Sequence, residues 1–227
     1  MKLNMMMSLF ESFDPMVNMT FSLNWLMMFI PMLLCMYMYW LIPSRINMLF
    51  IKMVNLLFKE FKLISSKKYE SNILIFMSLF FYIMLLNLLS LMPYIFTITS
   101  QMSFNLSLSL SLWFSFIMYS LYKMPKNFFI HLVPLNTPFM LMHFMVLIEL
   151  ISNFIRPWTL SIRLTANLIA GHLLLILLGS FMNNFIMIIP LMIIPQNLLL
   201  ILEISMSLIQ AYVFSILSIL YFSESKM

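Results

Sequence analysis

Residues 163–172 read RLTANLIAGH, and they lie inside the stretch that decides the fold. Between residues 127 and 223 the acidic and basic side chains are Glu149, Arg156, Arg163 and Glu203, joined by His131, His143 and His172. So long a run with so few charges belongs in lipid, where roughly 20 apolar residues make one helical crossing. It is far longer than one crossing, and it breaks near Asn183 and Asn184 with Pro190 and Pro195 beyond. The expected structure over residues 137–222 is therefore a hairpin of two long, strongly tilted antiparallel helices. The decapeptide also collects Gly171, one of the 2 glycines of the chain, with Ala166 and Ala170, beside the guanidinium of Arg163.

Composition sets the class for the rest of the chain. Of the 227 residues 63% are hydrophobic and 8% charged, where a soluble domain carries about a quarter charged. The mean hydropathy is +1.04. The reading is an all-α integral membrane protein with the bilayer as its solvent. Cys35 is the single cysteine, which rules out a disulfide framework and a cysteine metal cluster. With no Gly-rich phosphate loop and no zinc spacing, no cofactor or metal is expected. The net charge of +5 comes from basic residues between apolar spans, where they set orientation and face anionic headgroups rather than nucleic acid. A cleavable signal is not expected, since Lys2 and a short apolar run lead directly to Glu11 and Asp14.

Along the chain, residues 1–20 read as a surface segment and about 23–42 as a first transmembrane helix, with Trp25 and Trp40 as interfacial anchors. Residues 44–70 hold Arg45, Lys52, Lys59, Lys62, Lys67 and Lys68 against Glu60 and Glu70. There Ile46, Leu49, Phe50, Met53, Leu57 and Phe61 recur at helical spacing, which predicts an amphipathic surface helix with one apolar face. Residues 73–122 read as a transmembrane hairpin with an uncharged Thr/Ser-rich linker. Lys123 and Lys126 follow it, so both basic segments fall on one side of the membrane.

Ionisable groups in the long hairpin are unfavourable, an Arg at mid-membrane costing about 2.5–3.5 kcal/mol or more, and so are functional candidates. Glu149 and Arg163 share a helix face roughly 21 Å apart, and His172 turns to the opposite side. Laying the arms antiparallel with Arg163 opposite Gln210 also brings His172 beside Glu203 and puts the turn at about residue 187. Asn167, Ala166 and Ala170 flank Arg163. Small side chains there let a partner backbone approach closely, which drives association in lipid. Arg156, next to Pro157 and Trp158, reads as an interfacial anchor. The residues alone leave a secondary cation/proton transporter and a structural membrane subunit open, although the internal repeat a transporter would carry is not evident.

The runs IRPWTLSIRLTANLIAGHLLL (155–175) and LEISMSLIQAYVFSIL (202–217), with LFESFDP (9–15), resemble subunit a of the F-type ATP synthase in its animal mitochondrial form. The abundance of Met (27 residues) fits a mitochondrial reading of the genetic code. The resemblance implies a stator subunit of the mitochondrial inner membrane with no catalytic site of its own. It would work with the c-ring, other membrane-sector subunits and the peripheral stalk, and it would translocate protons. Arg163 would be the essential arginine facing the c-ring carboxylate. Glu149, Asn167, His172, Glu203 and Gln210 would line the proton pathway.

Overall fold

The computed structural model describes residues 12–16, 22–34, 42–65, 70–92, 95–123, 125–133, 138–184, 187 and 189–224. Regular structure among these is helical throughout, which establishes the all-α class. Four helices are long and apolar enough to cross a membrane: Asn72–Ser90, Met102–Lys123, Leu141–Met182 and Ile189–Glu224.

A 3-10 turn (Leu23–Phe29) runs into a short helix, α1 (Ile30–Leu34), whose Pro31 sits in the first turn, where its missing N–H costs nothing. The remainder of the expected first crossing, 35–41 with Trp40, lies outside the described residues.

Helix α2 (Arg45–Ile64) begins at Ser44, whose hydroxyl accepts from the Asn47 amide at 3.4 Å. Its apolar residues divide differently from the single face expected. Phe61, fully buried, packs with Val54, Leu57 and Phe58 against Ile73, Phe76, Met77 and Ile219. Ile46, Leu49 and Met53 stay exposed. One line of the helix faces protein and the adjoining line does not.

Helix α3 (Glu70–Ser90) buries Ile73, Phe76, Met77, Phe80, Ile83 and Asn87, a stripe at helical spacing. In the Thr/Ser-rich linker to α4 (Met102–Lys123), Thr97, Ile98, Thr99 and Ser100 are all covered. Most of its polar groups are satisfied locally, Thr97 Oγ1 lying 2.8 Å from Ser100 Oγ and Asn105 Nδ2 donating to the Thr99 carbonyl at 2.7 Å, while the Thr99 hydroxyl has no partner among the described residues. A short helix, α5 (Pro125–His131), follows with proline at its first position.

The long arms are α6 (Phe139–Asn184, 46 residues) and α7 (Ile189–Glu224, 36 residues). At 1.5 Å per residue they run roughly 69 and 54 Å, well beyond an upright crossing of about 30 Å. The first ends at Asn184 and the second begins at Ile189, on either side of the expected residue 187. Helix α7 packs most extensively on α3, and α6 on α4. Phe80, Ile83, Leu160, Leu164, Ala211 and Phe214 form the core where α3, α6 and α7 meet.

Candidate functional site

Helices α6 and α7 both bury small side chains alongside the core residues Leu160, Leu164 and Phe214. Ser161, Ser207, Ala211 and Ser215 are buried to within 1%, which lets the two backbones approach closely. The hydroxyls bond back to their own helices, Ser161 to the Trp158 carbonyl at 2.9 Å and Ser207 to Ile204 at 2.7 Å.

Arg163 lies between two residues of that core, Leu160 and Leu164, yet points the other way. Leu164 is 4% exposed, whereas Arg163, Ala166 and Ala170 are on the exposed side of α6. Among the described residues the guanidinium has neither an ion pair nor a hydrogen bond. Gln210 does face Arg163 across the hairpin, but through the backbone: its Nε2 donates to the Arg163 carbonyl at 3.1 Å. Gln210 thereby pins the turn of helix that carries the cation and leaves the cation itself free. Asn167 is half-buried one turn further on.

Gly171 explains the other half of the small-residue cluster. A Cβ built there would lie 2.6 Å from Glu203 Oε1 and 3.0 Å from its Cδ. The missing side chain is the space that the Glu203 carboxylate occupies. Ala166 and Ala170 thin the outer wall around Arg163, while Gly171 clears room inside.

Glu203 comes beside His172 in the register, with no hydrogen bond between the two side chains. Glu203 is 8% exposed, and among the described residues neither of its carboxylate oxygens has a protein partner. His172 Nε2 is likewise buried and unpartnered, and its ring meets Phe13 edge-on with centroids 6.5 Å apart. The register is as expected, but Glu203 leans on the glycine beside His172, not on the imidazole. Gln210 Oε1, Asn87 Oδ1 and Thr99 Oγ1 are also buried without partners among the described residues.

Asn87 and Thr99 are residues the sequence reading missed. Asn87 is fully buried in α3 and donates to the Ser207 carbonyl at 3.3 Å, one turn from both Glu203 and Gln210. Its signal was available, as an amide alone in the apolar span 73–95. These unpartnered groups lie toward the end of the bundle where Phe13 and the Ile98–Ser100 turn sit, the turn packing on α6 and α3.

Glu149 is at the opposite end. It lines a cavity of about 560 Å³ with Ser120, Asn153, Arg156 and Glu224 among aromatic and aliphatic walls that include Trp113, Phe128 and Leu132. Arg156 closes one side: its Nη1 pairs with Glu224 Oε2, and its guanidinium lies 4.8 Å over the Tyr221 ring. Arg156 is an intramolecular clamp on the last turn of α7. Glu224 is a further residue the sequence reading did not single out. No cluster of metal-ligating side chains occurs among the described residues.

Proteins of known identity match this chain over nearly its whole length. The family model described as ATP synthase A chain matches residues 6–223. The chain belongs to this ATP synthase family. It is 57% identical over 226 residues to "ATP synthase subunit a" of Apis mellifera ligustica, covering 100% of both chains. It is 50% identical to the Locusta migratoria subunit a and 47% to that of Drosophila melanogaster, each over 97% of this chain and 99% of the relative. The chain is thus a membrane-sector subunit of the ATP synthase family, embedded in a bilayer and working with other subunits of that complex.

Proposed function

We propose that this chain is the stator of a proton-driven rotary motor in the mitochondrial inner membrane, carrying two proton half-channels that meet at Arg163. The observation that carries this reading is the unpaired Arg163 on an exposed apolar face, with the Glu149 cavity toward one end of the bundle and the unpartnered Glu203, His172 and Asn87 toward the other. The Glu149 end adjoins Lys123, Lys126 and α2, the basic side, which is the matrix side by charge.

The partner of the exposed face is a c-ring bearing one carboxylate per subunit. A bare carboxylate facing lipid is prohibitive, so it travels protonated. Opposite Arg163 the guanidinium favours the ionised form, and the proton leaves. The guanidinium of Arg163 bars a direct leak between the half-channels. The unpartnered atoms of Asn87, Thr99, His172, Glu203 and Gln210 are seats for water, since buried polar groups that lack protein partners are satisfied that way. A proton enters along them, crosses on the turning ring and leaves through the Glu149 cavity. Asn167 flanks the hand-over point. The peripheral stalk holds the chain against the torque.

Arg163→Lys tests the assignment. A lysine keeps the charge but not the planar, permanently protonated fork. ATP synthesis driven by a proton gradient is expected to be lost in inverted membrane vesicles while the complex still assembles. Near-normal synthesis would remove Arg163 from the centre of the mechanism.

A further inference from the structure

Helix α2 carries a feature the rotary reading does not use. Arg45, Lys52 and Lys59 recur every seven residues, so they form one line along the helix, about 10.5 Å apart and drifting only about 20° per step. All three are exposed, and none has an ion pair among the described residues. The line runs on the side of α2 away from Phe61, the residue that plugs the helix into the bundle. Beside it lies an exposed apolar arc, Leu49 (65%), Met53 (57%), Leu56 (60%) and Leu63 (87%).

Glu60 is the one carboxylate in that apolar arc, and it is not left bare: Tyr212 of α7 donates to its Oε2 at 3.1 Å. The outer side of α2 therefore has cations along one level and hydrocarbon immediately beside them. An acidic protein segment would answer the cations and leave the leucines uncovered. A lipid leaflet answers both, with phosphate at one level and acyl chain just below it.

We propose that α2 is a binding site for anionic phospholipid. Arg45, Lys52 and Lys59 take the headgroup phosphates, their apolar stems lying along the helix. Leu49, Met53, Leu56 and Leu63 sink into the acyl layer. The site anchors the basic side of the bundle to acidic lipid, independently of how protons cross.

The test uses the assembled complex in vesicles of phosphatidylcholine doped with a photo-crosslinking lipid, either phosphatidylglycerol or phosphatidylcholine with the same tails. Crosslinks within residues 45–63 are then counted. The phosphatidylglycerol probe is expected to label α2 in preference, the preference fading at high salt and dropping about fivefold for each cation replaced by Gln. Lys52→Arg and Lys59→Arg should keep it. Should the triple variant fail to assemble, Lys52→Gln alone carries the same fivefold expectation. Equal labelling by the two probes, or labelling that survives the Gln substitutions, overturns the proposal. So does an unlabelled α2 whose Gln variants instead lose a bound protein subunit, which would make the row a protein contact.

Discussion

Gly171 and Glu203 show how much one missing side chain does. Alanine is the better helix former by about 1 kcal/mol, so Gly171→Ala should not harm α6 as a helix. Its Cβ would meet Glu203 Oε1 at 2.6 Å, and the flexible carboxylate must swing away. Forcing a side chain off its rotamer costs about 1 kcal/mol, or about fivefold in an equilibrium. Proton-driven ATP synthesis in inverted vesicles is therefore expected to fall about fivefold in Gly171→Ala, with assembly intact. Shortening the acid at the same time, in Gly171→Ala with Glu203→Asp, should recover part of the rate. A fully active Gly171→Ala would mean that the position of the carboxylate does not matter.

Among the elements, α7 is held at three levels by three different donors. Asn87 reaches the Ser207 carbonyl, Gln210 reaches the Arg163 carbonyl, and Tyr212 reaches Glu60 on α2. Tyr212→Phe removes only the last. A hydrogen bond to a charged group contributes about 1.5–3 kcal/mol, and partial exposure puts this one near the low end. Amide exchange along α2 is expected to quicken roughly tenfold in Tyr212→Phe. Glu60→Gln, which keeps an acceptor, should do less, and unchanged exchange in both would mean that Phe61 alone docks the helix. This pairing was not legible in the sequence. The hairpin was, because an Arg, a Glu and a Gln stand out of apolar runs and an antiparallel register relates them. Asn87 was passed over because a lone amide in one span names no partner. Burial of the 97–100 linker was not legible, because hydroxyls that satisfy each other inside a fold look the same in sequence as hydroxyls that face water. The Arg156–Glu224 clamp joins residues 68 positions apart, the second near the chain's end, where a carboxylate looks like an ordinary solvated tail.

For the whole molecule, the decisive property is sidedness. The Glu149 cavity and the Glu203 region sit toward opposite ends of the bundle, with Arg163 between them. If these are two half-channels, a substitution in one must change how the rate responds to pH on that side alone. The check is ATP synthesis by the complex in vesicles whose two aqueous phases are buffered independently. A carboxylate that accepts protons does so only when ionised, so its contribution is present at higher pH and is lost as the pH on its own side falls. Glu149→Gln is expected to abolish the dependence on basic-side pH and leave the other side's profile unchanged. Glu203→Gln should do the reverse. Each should slow turnover on the order of a hundredfold, the lower end for a positioned proton-transfer group. If either variant altered both profiles together, the two polar regions would be one continuous path, and Arg163 would not be the barrier that makes proton flow turn a rotor.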